Sequence, residues 1–264
     1  MSICGGKKRF FKVYIPKWRT RPQVTDNRYS FKEGVITKEL CDIATQYALL
    51  KQQYFDERET IRDRVPNTTA VYGDTLMESL MCYMKPHIEQ MTGLSLCPSY
   101  TYYRVYKAGD KLTRHVDRPG SEIATTVCLG WDYKDASKNY RWGIYIDPET
   151  NHKNKPYKKE EFQSGGKDGV LLKQNQGDCI VFRGNEVEHW RDPFEVGEGS
   201  YQVQLFAFYI DKNGPYYPKY AFDQRPGVAA PKEKKPSSPY LDKRLLVIAL
   251  VVVLALYIYN YYFV

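Results

Sequence analysis

Residues 102–117 read Tyr-Tyr-Arg-Val-Tyr-Lys-Ala-Gly-Asp-Lys-Leu-Thr-Arg-His-Val-Asp. The run opens as an alternating aromatic strand, turns at Gly109-Asp110 and arrives at His115-Val116-Asp117. Side chains two apart in an extended chain point the same way. His115 and Asp117 are therefore expected to face one cavity together. An imidazole and a carboxylate so placed are two of the three ligands of a 2-His-1-carboxylate iron site.

The second histidine has to come from elsewhere. The chain has four histidines, and His189 has the fitting context. It closes the run Gly177-Asp-Cys-Ile-Val-Phe-Arg-Gly184-Asn-Glu-Val-Glu-His189, which reads as turn, apolar strand, second glycine turn, then ligand. His87 reads as a helix-surface or packing residue and His152 as a solvated loop residue.

Helical spacing comes first along the chain, in residues 36–60 and 74–92. Thr37 and Asp74 are the expected N-caps and Gly93 the expected stop, while Pro86 predicts a kink or break. After Gly93 the period changes to that of strands, at 99–107, 123–131, 140–147, 169–173, 178–183 and 200–210. Short strands after two helices predict an α+β, mainly β domain, an antiparallel barrel or jelly roll braced on one side by N-terminal helices. An aromatic share of 15%, with 24 Tyr, suits that class. Six scattered Cys without a C-x-x-C pair argue for reduced thiols and against a zinc ribbon.

The net charge of +8 sits on the flanks. Residues 1–22 carry Lys and Arg without an acid, as does most of 225–264 apart from Glu233 and Asp242, which leaves a slightly acidic middle. Basic arms against anionic lipid fit this pattern better than a nucleic-acid groove across the domain. The Lys7-Lys8-Arg9 arm is the one place left for nucleic acid. No N-terminal secretory signal is expected. Residues 224–243 read as a Pro- and Lys-rich linker. Residues 245–264, LLVIALVVVLALYIYNYYFV, hold no charge and reach about 30 Å as a helix, one hydrocarbon thickness. With Lys243-Arg244 before them, residues 244–264 are expected to be a transmembrane tail anchor, with the domain on the cytoplasmic side.

From Leu76 to Asp211 the chain resembles the 2-oxoglutarate- and Fe(II)-dependent dioxygenases, within them the prolyl 4-hydroxylase-like group. The resemblance rests on Met91-Thr-Gly-Leu94, Tyr103-Arg-Val-Tyr-Lys-Ala-Gly109, His115-Val-Asp117, Ala124-Thr-Thr-Val-Cys128, Gly177-Asp178 and His189 with Pro193. It implies a double-stranded β-helix over residues 23–223 and a metal held by His115, Asp117 and His189. It further implies Fe(II), 2-oxoglutarate and O2, with ascorbate as reductant, and hydroxylation of a C–H bond in a prolyl or other protein side chain or a small molecule. Tyr106 matches the family's tyrosine at the far carboxylate of 2-oxoglutarate, and Thr126 adds a hydroxyl. Gln202 stands where the family has Arg or Lys, so the charge has to come from elsewhere: Arg191, two residues past His189, is the first candidate, and Arg104 and Arg183 are the weaker ones. A non-catalytic membrane-anchored binding protein on an oxygenase fold is the alternative that Gln202 favours. A cupin-like metal enzyme working without 2-oxoglutarate is the third. Removal of residues 245–264 is expected to move the protein from the membrane to the soluble fraction; a full-length chain soluble without detergent would overturn the anchor.

Overall fold

Tyr29–Lys32 opens the ordered chain as β1, pairing antiparallel with Cys179–Phe182 (β9). The structure is a computed structural model that describes residues 27–54, 60–61, 65, 68, 70–153 and 169–225. The chain divides into two units, Met1–Val228 and Ala229–Val264, and every described residue lies in the first. The expected basic arm, most of the linker and the tail anchor lie outside the described residues. Among the described residues no helix is long and apolar enough to cross a membrane.

Two antiparallel sheets face each other, the jelly-roll arrangement expected. The larger has the order β1-β9-β6-β11-β4-β3-β2. Its members are Thr60–Ile61 (β2), Ala70–Tyr72 (β3), Leu96–Lys107 (β4), Ile123–Asp132 (β6) and Tyr201–Asp211 (β11), besides β1 and β9. The smaller sheet runs β5-β10-β7-β8, from Leu112–His115 (β5), Glu188–Arg191 (β10), Ile144–Asp147 (β7) and Val170–Leu172 (β8).

The period of two divides the core. On β11, Val203, Leu205, Ala207 and Tyr209 meet the helices, whereas Phe206 and Phe208 turn toward the small sheet. Lys38–Lys51 (α1) and Thr75–Thr92 (α2) supply Cys41, Ala44 and Ala48, and Met77, Met81, Met84 and Ile88, to the first layer. Each such large apolar side chain contributes about 1.5–3 kcal/mol by leaving water. Between the sheets lie Ala124, Ile180 and Phe182 against Ile144, Ile146 and Val187.

The expected caps are present. The Thr37 hydroxyl accepts from Leu40 N, and the Asp74 carboxylate accepts from Leu76 N and Met77 N at 3.0 and 3.3 Å. The other Asp74 oxygen takes Tyr47 Oη at 2.7 Å and Lys51 Nζ at 2.9 Å, joining the two helices. Three expectations change. The first helix ends at Lys51, followed by a 3-10 turn at Gln52–Tyr54. Helix α2 does not break at Pro86, the second of the two outcomes expected there, and Met84, Ile88 and Met91 on either side are buried against the large sheet. Cys82 is disulfide-bonded, although Cys41, Cys97, Cys128 and Cys179 are free, buried thiols as expected.

A C-terminal strap follows β11. Tyr216, Tyr220 and Ala221 pack against Cys97 and Ile210, and the tip carries Phe222, Asp223 and Gln224 at φ of 48°, 51° and 55°. Left-handed backbone costs a residue with a side chain about 1–2 kcal/mol, so the tip is held there by its contacts. Gln224 and Arg225, expected to begin the linker, are bonded to the domain: Arg225 pairs with Glu78 and donates to Ser99 O.

Gly177 and Gly109 both have positive φ, +84° and +83°, yet a Cβ on Gly177 would stand 2.2 Å from the Ile36 carbonyl oxygen while Gly109 has nothing within 4 Å. Gly109→Ala should therefore lose only the left-handed cost, about 1 kcal/mol. Gly177→Ala should lose about 3 kcal/mol, because the β1–α1 loop must also move. Equal losses in urea unfolding would refute this.

Candidate metal centre

Strand register builds the site. In the small sheet His189 on β10 stands directly opposite His115 on β5. Their ring centroids are 4.2 Å apart. Asp117, two residues past His115, brings Oδ1 to 3.6 Å from His115 Nε2 and 3.7 Å from His189 Nε2. One ligand atom from each of the three residues lies within 4.8 Å of the others. All three expected metal residues are brought together.

Backbone contacts set their orientation. Nδ1 of His115 lies 2.7 Å from Thr113 O, and Nδ1 of His189 lies 3.1 Å from Val187 O. A carbonyl can only accept, so Nδ1 carries the proton and Nε2 presents its lone pair to the centre. The contact with the carbonyl thus fixes the tautomer that a metal requires. Asp117 N donates to Gly184 O at 2.8 Å. A Cβ on Gly184 would meet Asp117 Oδ2 at 2.7 Å and Ser121 O at 2.6 Å, so only glycine lets the two segments approach this closely. The donor set of two neutral imidazoles and one carboxylate on one face suits a divalent iron-type ion with open positions opposite.

Deeper in the barrel lies Arg191. It is 1% exposed. Its Nη1 donates to Trp142 O and Gly143 O at 3.1 and 3.2 Å, its Nη2 approaches Thr126 Oγ1 at 3.5 Å, and its Nε has no partner. The guanidinium carbon sits 4.9 Å from the Trp142 ring and 5.9 Å from that of Tyr106. Burial pushes its pKa down, but arginine stays charged. No carboxylate among the described residues pairs with it. A buried, unpaired cation is costly, by several kcal/mol. The neighbouring Cys128 thiol does not supply the charge, because burial pushes its pKa up to about 12.

Thr126 is fully buried and held by a chain of amides. Gln204 Nε2 donates to Thr126 Oγ1 at 2.6 Å and to Gln174 Oε1 at 2.9 Å, and Gln202 Nε2 donates to Gln204 Oε1 at 2.9 Å. Tyr133 Oη closes the far end on Gln202 Oε1. Because Thr126 accepts from Gln204 and from Arg191, neither of those contacts uses its own hydroxyl hydrogen. Arg191 and Thr126 thus hold unspent donors beside each other. Tyr106 lies against this chamber, 1% exposed and edge-on to Trp142 at 4.8 Å. Of the four residues expected around the far carboxylate, Thr126 and Arg191 meet, Tyr106 walls them, and Gln202 stands one amide away.

Gln204, Gln174 and Tyr133 were not singled out in the sequence. The alternation Gln202-x-Gln204 inside an apolar strand is the signal that points to them. The expectation for His152 changes: its Nε2 lies 2.8 Å from Glu188 Oε1, a built contact rather than a solvated side chain.

No family model matches the chain, and no curated protein matches it. Solved structures do match in fold. The non-heme alpha ketoglutarate dependent epimerase SnoN from nogalamycin biosynthesis aligns with TM-score 0.54 at 14% identity, over 79% of this chain and 88% of that one. HygX from Streptomyces hygroscopicus, solved with nickel and 2-oxoglutarate, aligns with TM-score 0.50 at 13% identity, over 72% and 85%. A prolyl-4-hydroxylase from Pseudomonas putida aligns with TM-score 0.48 at 14% identity, over 70% and 94%. The chain has the fold of the 2-oxoglutarate- and Fe(II)-dependent oxygenases. In this oxygenase fold the small sheet supplies both histidines, and the inner face of the large sheet supplies Tyr106, Thr126 and Gln202.

Fe(II) under anaerobic conditions, at about 100 times its dissociation constant, should stabilise the folded protein by about 2.7 kcal/mol. The gain should vanish in His115→Ala and shrink in Gly184→Ala, which crowds Asp117. Thermal unfolding with and without metal measures both; an unchanged gain in His115→Ala would exclude this centre.

Proposed function

We propose that the protein is a 2-oxoglutarate- and Fe(II)-dependent oxygenase that hydroxylates a C–H bond, with decarboxylation of 2-oxoglutarate to succinate. The carrying observation is that a ligand set and an anion-seeking cation share one strand. His189 and Arg191 are two residues apart on β10, about 7 Å along an extended chain. A five-carbon diacid is of that length. One end would chelate the metal held by His115, Asp117 and His189, and the far carboxylate would meet Arg191 and Thr126.

When bound, iron with 2-oxoglutarate and O2 supplies an oxidising power that no side chain has, and ascorbate serves to keep the metal ferrous. The chain's own residues position and shield. Nη1 of Arg191 is spent on two backbone carbonyls, which leaves the Nε and Nη2 edge for a bidentate carboxylate. Thr126 adds its hydroxyl hydrogen, aimed by Gln204. Trp142, Tyr106 and Phe194 exclude water from this end, which strengthens each charged contact.

The reading as a non-catalytic binding protein drew its support from Gln202, a neutral amide at the usual basic position. Arg191 weakens that support, because it offers a cation on β10, with Gln202 in the amide chain that reaches Thr126. A prolyl or other protein side chain is the leading substrate, and a small molecule near a bilayer is the second. The uncharged run 245–264 supports attachment to a membrane by a C-terminal anchor, with the catalytic domain on the cytoplasmic side.

Succinate release from 2-oxoglutarate by the full-length protein with Fe(II) and ascorbate tests this directly, and His115→Ala should abolish it. Arg191→Gln should raise the KM for 2-oxoglutarate by about 30-fold, the worth of a charged hydrogen-bond pair, with a smaller effect on kcat. No succinate above the His115→Ala background would end the proposal.

A further inference from the structure

A second arginine borders the metal chamber. Arg118 follows Asp117 directly. Its guanidinium carbon lies 4.1 Å over the Tyr100 ring, and its Nε donates to Tyr100 Oη at 3.2 Å. Tyr100 is a rigid platform: it is 2% exposed, bonded to Ser121 and stacked on Phe208 at 4.5 Å. Phe208 in turn stands opposite Ala124, whose Cβ packs beside Gly184 and the Asp117 carboxylate. Arg118 is therefore one residue from a metal ligand in the chain and stands on a ring whose stack reaches the strand beside Asp117. Unlike Arg191 it is accessible, with about a third of its side chain exposed at 32%.

The outer edge of Arg118 is taken by Asp223. Nη1 and Nη2 donate to Oδ1 and Oδ2 at 2.8 Å each, a two-pronged pair. Tyr72 Oη donates to the same carboxylate. This acid sits at the middle of the three left-handed residues of the strap tip. The base of the strap is tied down by Tyr216, Tyr220 and Ala221, and only the tip is strained. Strained backbone persists only where its contacts hold it and clusters at ligand clamps and switch regions, so a partner that replaced Asp223 on Arg118 would also let the tip relax.

We propose that Arg118 determines specificity by binding a carboxylate of the substrate, and that Asp223 is an internal stand-in which the substrate's acid displaces. The inference deepens the oxygenase reading by naming a substrate class, carboxylate-bearing molecules, and rests on it for the position of the reacting carbon. Tyr72, Tyr100 and Tyr102 lie close together beside Arg118, with Tyr72 5.8 and 5.4 Å from the other two. They would hold the apolar part next to the acid. The occupant is then an acidic residue of a protein segment or a free carboxylic acid with an apolar body.

Calorimetry on metal-free, full-length protein in detergent separates this inference from the oxygenase reading. The probes are capped tetrapeptides that differ only in Asp, Lys or Ala at one position, and benzoate. All titrations are repeated in the Arg191→Gln background, so that the deep cation does not compete. Asp223→Asn should bind the Asp peptide or benzoate at least 10-fold more tightly than the wild type, and Arg118→Gln should bind neither. Arg118→Asp with Asp223→Arg keeps a pair in place, checked by its melting temperature, and should turn preference to the Lys peptide. Binding of the Asp peptide alone identifies an acidic protein segment, and binding of benzoate alone a small acid. Equal affinity of wild type and Asp223→Asn for the acids, no binding of either acid, or no discrimination between Asp and Lys peptides overturns the proposal. Succinate release by the wild type is scored separately, so either idea can fail alone.

Discussion

The pairing of β5 with β10 is the constraint on which the site depends. It sets His115 opposite His189 across 74 residues of chain. Closing a loop of that length costs entropy that grows only slowly with length, about 0.6 kcal/mol per doubling. Hydrophobic closure of the two sheets offsets it, through Ile144, Ile146 and Val187 of the small sheet against Ile180, Phe182 and Phe208 of the large one. A slip of β10 by one residue would turn His189 away from His115 and out of the chamber. The core behind β10 thus does more than stabilise the fold: it fixes which face His189 and Arg191 share.

That shared face carries opposite demands. The histidines must stay neutral to bind metal, and the Thr113 and Val187 carbonyls hold their protons on Nδ1. Arg191 must stay charged in the same low-dielectric space, with carbonyl oxygens on one side and, among the described residues, no acid on the other. An apolar side chain there would be easier to bury. On the proposed reading an anion from outside would offset that cost, at the unspent Nε and the Thr126 hydroxyl.

The sequence made part of this legible. His115, Asp117 and Arg191 could be read because a strand places i and i+2 on one face, and His189 because two glycine turns bracket a short apolar strand. Asp74 and Gly93 were readable as helix ends because capping is local chemistry. What escaped depends on pairing between distant segments. Gln174, Gln204 and Tyr133 become one chain only once three strands and a loop are in register. His152 looked solvated because nothing local shows that Glu188 lies beside it. Pro86 suggested a break because local sequence cannot show how much of the flanking helix is buried. Asp223 and Arg118 lie 105 residues apart with no periodicity linking them.

The two arginines divide the chamber by hydration. Both are suited to a carboxylate, and 2-oxoglutarate has two carboxylates to offer. Arg191 is dry and without an acid partner, so a carboxylate gains most there, where the dielectric is low and no competitor must leave. Arg118 is partly wet and already neutralised by Asp223, so an anion gains less and must first displace a two-pronged bond. On the proposed reading the same diacid would thereby be directed inward and kept off the rim. The acid on the strap would then have a purpose even before any substrate is considered: it would lower the affinity of the outer cation and so keep the two proposed carboxylate positions from being filled by one kind of molecule. A substrate that also carries an acid meets the rim with apolar contacts to Tyr72, Tyr100 and Tyr102 that 2-oxoglutarate cannot make. Order of filling follows from burial and charge alone.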